Sequence, residues 1–257
     1  MNRTRATVVG MVHLGPLPGA ANGEGGSIES LIEGALDDTR LLNEGGFDAI
    51  LIQNASDHPP TRLIDAASLA AYACVAREVR RTTTLRLGIS VLKSDVQATF
   101  AIARSADADF VRLKSYVGIE IGPEGTLEGC AAEAIRTRRT AGLESIEIWA
   151  DAVQPTSRPA PQVSALDLVR WSFEFGKADR VIITGDTLAE STVMLHEVRA
   201  AAAGPLLLGG GADPETISAA LEDWDGVIVG RYLRGGDLRA PIDPSRVAAL
   251  RAAAGAR

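Results

Sequence analysis

The chain has 257 residues, 46% apolar and only 4% aromatic, with a net charge of −7 and an isoelectric point near 5.1. That is one domain's length with enough apolar mass for a large core, so disorder is excluded. The acidity is spread along the chain, and the basic footprint of a nucleic-acid or anionic-lipid binder is missing.

The first residues, Met1 to Ala6, run straight into a strand-like segment with no apolar leader. No stretch reaches transmembrane length, so a cytoplasmic protein with at most peripheral membrane contact is expected. Cys74 and Cys130 sit in alanine-rich, helix-like contexts without Cys-x-x-Cys spacing. They are expected to be buried, reduced thiols rather than metal or redox groups.

Strand candidates recur as short apolar runs: Thr7–Val12, Phe47–Ile52, Leu85–Val91, Asp109–Leu113, Ser145–Ala150, Arg180–Ile183, Pro205–Leu208 and Gly226–Val229. Their β-branched and leucine content suits a parallel sheet covered by helices. Helix candidates fill the gaps: Ile28–Asn43, Leu63–Arg81, Asp95–Ala106, Ala131–Ala141, Ala165–Phe175, Leu188–Ala203, Pro214–Leu221 and Pro244–Ala254. In the first of these, Ile28, Leu31, Ile32, Ala35, Leu36 and Leu42 form one amphipathic stripe. Asp213-Pro214 and Asp243-Pro244 each place a capping carboxylate before a proline at the first helical position. Gly45-Gly46, Gly142 and Gly204 stand at expected helix stops.

Strand-then-helix repeated through one domain predicts a single (β/α)8 barrel, residues 1–257. The competing open doubly wound sheet lacks its Gly-x-Gly-x-x-Gly turn after the first strand. The long glycine-rich loops Leu14–Gly26 and Ser115–Gly129 are candidate lids.

In such a barrel the residues after each strand converge on one rim that carries the chemistry. Here they are His13, Gln53 with Asn54, Lys93 with Asp95, Lys114, Asp151, Thr184-Gly185-Asp186, Gly209-Gly210-Gly211 and Gly230-Arg231. The glycines after the last two strands let backbone N–H groups approach an anion, as a phosphate site requires. The plainer alternative is tight turns. On strand five, Glu147, Trp149 and Asp151 alternate with Ile146, Ile148 and Ala150, so the first set faces the barrel interior. Asp151 reads as a general acid or base, a hydroxyl clamp, or the partner of a lysine. On strand four Phe110, Arg112 and Lys114 face inward. Arg112 is expected to pair with Glu147. Lys114 is left with three readings: a pair with Asp151, an anion ligand, or an amine activated by desolvation. A Schiff base at Lys114 has position alone in its favour. His13 reads as structural or as a rim acid–base group. His58 and His196 read as loop and helix-surface residues. No two histidines stand at ligand spacing, so no metal-site residues are assigned. Asn54, Asp57, Asp95, Asp151 and Asp186 offer oxygen atoms that could hold magnesium, without a spacing that demands it.

The run Met11-Val12-His13-Leu14-Gly15-Pro16-Leu17-Pro18-Gly19 resembles the signature of the BtpA/SgcQ family. The resemblance continues through Gln53-Asn54-Ala55-Ser56-Asp57, Leu92-Lys93-Ser94-Asp95, Trp149-Ala150-Asp151-Ala152-Val153 and Val181-Ile182-Ile183-Thr184-Gly185. It ends at Leu208-Gly209-Gly210-Gly211 and Val229-Gly230-Arg231. It implies a (β/α)8 barrel. The family's cyanobacterial namesake is tied to photosystem I accumulation, and other members accompany sugar-transport and metabolic genes. Three departures stand out. Gln53 replaces an acid, Lys114 replaces an asparagine, and Gln154-Pro155 replaces a Lys-His pair.

The expected function is an enzyme on a small phosphorylated metabolite, a sugar phosphate or nucleotide-derived compound, with isomerase, epimerase or lyase chemistry. His13 and Asp151 would move protons, and Lys114 and Asn54 would polarise a carbonyl or hydroxyl. Lys93, Thr184, Gly185, Gly209, Gly210, Gly211, Gly230 and Arg231 would hold the substrate and its phosphate. No cofactor is required, although magnesium fits the oxygen donors. A homo-oligomer built through outer helices is expected. The alternatives are a non-catalytic assembly factor and a magnesium-dependent phosphohydrolase.

Overall fold

A computed structural model describes residues 5–23 and 27–255. Residues 1–4, the Glu24-Gly25-Gly26 end of the first candidate lid, and residues 256–257 lie outside the described residues.

Eight parallel strands close a barrel. They are β1 (Thr7–His13), β2 (Ala49–Gln53), β3 (Arg86–Ser90), β4 (Phe110–Leu113), β5 (Glu147–Val153), β6 (Arg180–Ile183), β7 (Leu206–Leu208) and β8 (Gly226–Val229). Neighbours follow chain order, and β8 pairs with β1 to close the ring. Helices α1 (Ile28–Glu44), α2 (Ala66–Thr82), α3 (Val96–Ser105), α4 (Ala131–Thr140), α5 (Ala165–Glu174), α6 (Leu188–Val198), α7 (Ile217–Asp223) and α8 (Pro244–Ala254) alternate with them. The expected alternation therefore holds, with shifted ends. Asp243 caps α8 as expected, accepting from Ser245 N at 2.8 Å. Asp213 instead closes a turn through Glu215 N and Thr216 N, both at 3.0 Å, and α7 starts only at Ile217.

The barrel interior is apolar at its centre. Phe110 and Trp149 stack with ring centroids 3.7 Å apart, surrounded by Met11, Leu51, Ile182, Leu207 and Ile228. Gly88 makes room for this stack: a Cβ there would lie 2.1 Å from the Phe110 ring. Beneath it, Glu147 accepts from Trp149 Nε1 at 2.7 Å and pairs with Arg86 at 3.0 Å and Arg180 at 3.2 Å.

That arrangement corrects the expected Arg112–Glu147 pair. The register sets Arg112 beside Trp149 and Phe110 beside Glu147. Glu147 is thus one pleat below Arg112, where two other arginines already hold it. Asp151 is one pleat above, and Arg112 turns toward it.

The loop Ser115–Gly129 is not a bare lid. It folds into a hairpin, Ile119–Gly122 with Gly125–Glu128, and Arg158–Pro159 adds a third strand. Its alternation is inverted: Ile119 and Ile121 are 45% and 56% exposed while Glu120 is buried. The cysteines depart from expectation as well. Cys74 is exposed on α2, and Cys130 is partly buried before α4, where burial pushes its thiol up to about 12.

Candidate active site

A cavity of about 700 Å³ opens at the C-terminal ends of the strands. Of the expected residues it brings together His13, Lys114, Thr184, Gly185, Gly209, Gly210, Gly211, Gly230 and Arg231. Its size and mixed lining suit a small metabolite.

One end gathers unpaired polar groups. Thr184 Oγ1 is buried without a hydrogen-bond partner. It can sit against the chain after β7 because residue 209 is glycine: a Cβ there would lie 1.9 Å from that oxygen. Gly209 N donates to Ile183 O at 3.1 Å. Among the described residues, the N–H groups of Gly210, Gly211 and Gly230 have no acceptor. Gly211 adopts φ +88°, a conformation that favours glycine. Arg231 follows on an exposed turn, with Nη1 donating to Gly236 O at 3.3 Å. Unpaired backbone donors, a hydroxyl and a guanidinium thus gather at one end of the cavity.

The other end is cationic. Arg112 Nε and Nη2 donate to Asp151 Oδ2 and Oδ1, both at 2.8 Å, and both residues are buried. The geometry is bidentate, so Arg112 is fixed and lines the cavity. Lys114, the next inward residue, has no ion-pair or hydrogen-bond partner for its amine among the described residues. Burial, then the Arg112 guanidinium, lower its pKa to about 8. His13 ends β1 with Nδ1 buried and unpartnered. Burial and then Arg234 lower its pKa to about 3, although the Leu238 carbonyl works against them. His13 is therefore neutral at pH 7, able to donate or accept a hydrogen bond but not to supply an imidazolium.

Three expected site residues are placed elsewhere. Asp151 was expected at the rim, but β5 runs on to Val153 with an irregularity after Asp151, leaving the carboxylate inside the wall. It holds Arg112 and does not line the cavity. Asn54 is buried, donating to Asp57 Oδ2 at 2.7 Å and accepting from Leu92 N at 2.8 Å. Both ends of its amide are thus engaged. Lys93 pairs with Glu124 of the hairpin and ties that hairpin to the chain after β3. The oxygen donors considered for magnesium also fail to converge. Asp57 accepts from Leu17 N and Asn54, Asp95 caps α3, and Asp186 pairs with Arg158. Among the described residues no group of three or more His, Cys, Asp or Glu side chains is placed to hold a metal ion.

The profile of the BtpA family matches residues 4–255. The chain belongs to the BtpA family. It is 37% identical to the uncharacterized protein PYRAB10620 of Pyrococcus abyssi over 89% of this chain and 88% of that one. It is 32% identical to the photosystem I biogenesis protein BtpA of Synechocystis, over 96% and 88%. Among solved structures, N-(5'-phosphoribosyl)anthranilate isomerase of Pyrococcus furiosus superposes with a TM-score of 0.60, covering 97% of this chain and 98% of that one at 12% identity. A likeness at that identity bears on the fold alone.

In this BtpA-family chain two polar amides, Gln53 and Gln154, also line the cavity. Gln53 Nε2 donates to Ser90 Oγ at 3.1 Å. Gln154 is held by Glu120: its Nε2 donates to Glu120 Oε2 at 2.7 Å, and Ser115 and Ser157 donate to the same oxygen at 2.7 and 2.6 Å. Sequence reading missed Glu120 and Arg246. The Ile119-Glu120-Ile121 alternation would ordinarily turn the isoleucines inward. Arg246 comes from α8, outside the strand ends, and reaches the cavity over the Tyr232 ring at 5.1 Å.

Proposed function

We infer that this protein is an enzyme acting on a small phosphorylated carbonyl metabolite, with isomerase, epimerase or lyase chemistry and no cofactor requirement. One observation carries the reading. The unpaired N–H groups of Gly210, Gly211 and Gly230, the orphan Thr184 hydroxyl and Arg231 share one cavity with the amine of Lys114. The phosphate would bind at the β7–β8 end. Its interactions supply binding energy remote from the reacting carbon. Arg112 and neutral His13 would polarise the carbonyl, with the Lys114 amine at the reacting carbon. Asp151 would act only through Arg112. A thermal-shift panel of sugar phosphates, nucleotides and their unphosphorylated parents tests this. A ligand at a hundred times its dissociation constant adds about 2.7 kcal/mol to stability. Stabilisation by phosphorylated compounds alone is expected, and no response across the panel would sink the reading. Magnesium-dependent hydrolysis of the same phosphoesters would redirect it to a phosphohydrolase.

A second reading, an assembly factor, is favoured by a separate surface. Trp171 and Phe175 of α5 are 40% and 63% exposed, beside Val117 and Gly118 at the base of the hairpin. An apolar face of that kind suits a protein contact, including self-association. Pull-down losses in a Trp171→Ser/Phe175→Ser variant would support it, and unchanged assembly and partners would count against it.

A further inference from the structure

Lysine is scarce in this chain. Of its 26 basic residues only Lys93, Lys114 and Lys177 are lysine, and the rest are arginine. Arginine supplies charge and hydrogen bonds but stays protonated, so it cannot act as an amine nucleophile. A chain that elsewhere uses arginine for positive charge keeps lysine at two strand ends of the rim. Lys93 is committed to Glu124, and Lys177 is exposed on the turn before β6. Among the described residues, Lys114 is the one lysine that lines the cavity, and no carboxylate claims its amine.

Its setting keeps it that way. The nearest inward carboxylate on the neighbouring strand, Asp151, is occupied on both oxygens by Arg112. That guanidinium then stands beside the amine and disfavours a second positive charge. Glu120, the buried carboxylate of the hairpin, receives Ser115, Gln154 and Ser157 instead. Within the ring β1-β8-β7-β6-β5-β4-β3-β2, β4 lies diametrically opposite β8. Gly230 and Arg231 thus face Lys114 across the one cavity that all three line, so a ligand held at the former would have to span the mouth to reach the amine.

We propose that Lys114 is a nucleophile that condenses through Nζ with the carbonyl carbon of a phosphorylated aldose or ketose. The neutral amine adds to the C=O carbon to give a carbinolamine. Loss of its hydroxyl as water leaves a C=N bond. The balance is one carbonyl plus one lysine ammonium giving one protonated imine plus one water. No oxidant or reductant enters. The iminium draws electrons from the adjacent C–H or C–C bond, as isomerisation, epimerisation or aldol-type cleavage requires.

This rests on the phosphate-site reading above, and the test separates the two. The full chain is incubated at pH 8 with dihydroxyacetone phosphate or glyceraldehyde 3-phosphate, with and without sodium cyanoborohydride, and peptides are mapped by mass spectrometry. In parallel, thermal shifts are recorded with inorganic phosphate and glycerol 3-phosphate, which carry no carbonyl. A reduced adduct on Lys114, at least about tenfold over Lys177, is expected. At pH 8 an amine with a pKa near 8 has about a hundredfold more neutral form than an ordinary lysine. Excess inorganic phosphate should suppress the adduct. Lys114→Gln should lose it and keep the glycerol 3-phosphate shift. A phosphate shift with no adduct, or with labelling spread evenly over the amines, overturns the covalent role and leaves the phosphate site standing. Absence of both responses overturns both.

Discussion

Arg112 and Asp151 meet in a fork across β4 and β5, with both contacts at 2.8 Å and both groups buried. This pair decides the character of the site. It engages both oxygens of Asp151, fixes a guanidinium at the cavity wall, and leaves Lys114 without a counter-ion among the described residues. Removing one partner of a buried pair leaves an uncompensated charge. Asp151→Asn should therefore cost about 3–5 kcal/mol of stability. The double variant Arg112→Met/Asp151→Leu should recover much of that loss. Urea denaturation of the three proteins measures it, and a fully stable Asp151→Asn would contradict the structural role given to the pair.

Lys114 should weaken the fold at neutral pH. Its pKa is about 8 in the folded state against 10.5 for an ordinary lysine. Between those values the unfolded chain binds the proton more tightly, so stability rises as pH climbs from 8 to 10.5 and is lost again on the way down. The span corresponds to at most about 3 kcal/mol. Lys114→Met should melt higher than the parent at pH 7 and lose the difference near pH 10.5, while activity disappears. A melting point lower at pH 7 would argue that the amine has a structural partner.

His13 carries the opposite risk, at acid pH. Its pKa is about 3 when folded and 6.5 when free, so the unfolded chain takes up a proton first as pH falls below 6.5. The stability present above pH 6.5 should drop by about 2 kcal/mol by pH 5 from this group alone. His13→Gln should flatten that portion of the curve relative to the parent. A step in ligand binding at about pH 6–6.5 should come from the ligand's own phosphate and persist in His13→Gln, and a step that vanishes in the variant would mean that His13 titrates normally.

The turn after β7 distinguishes two neighbouring glycines. A Cβ at residue 209 strikes the Thr184 hydroxyl at 1.9 Å, whereas one at residue 210 meets nothing within 4 Å. Gly209→Ala should lower the melting temperature, and Gly210→Ala should leave it unchanged. Equal melting temperatures would contradict the close approach of the turn to Thr184.

The barrel was legible in the sequence because buried parallel strands read as short apolar runs and some helix starts carry ordinary cap chemistry, as Asp243-Pro244 does for α8. The glycine end of the cavity was legible too, since Gly209-Gly210-Gly211 and Gly230-Arg231 follow two consecutive strands. Ion pairing was not. Whether Arg112 takes Glu147 below or Asp151 above depends on strand register and on the competing Arg86 and Arg180, which spacing does not reveal. Asn54 and Lys93 stood at strand ends, yet local partners hold them away from the cavity. Glu120 was hidden because the hairpin inverts the usual pattern, burying the acid and exposing Ile119 and Ile121.

The proposed phosphate end is tested most directly by calorimetric titration of glycerol 3-phosphate into the parent, Gly210→Leu and Arg231→Ala proteins. Residue 210 faces open space, so leucine there fills the anion site without a backbone clash. Saturable binding to the parent, lost in Gly210→Leu and weakened at least about tenfold in Arg231→Ala at unchanged melting temperature, is the predicted result; that loss equals about 1.4 kcal/mol. Equal binding by all three proteins, or no binding by the parent, would contradict it.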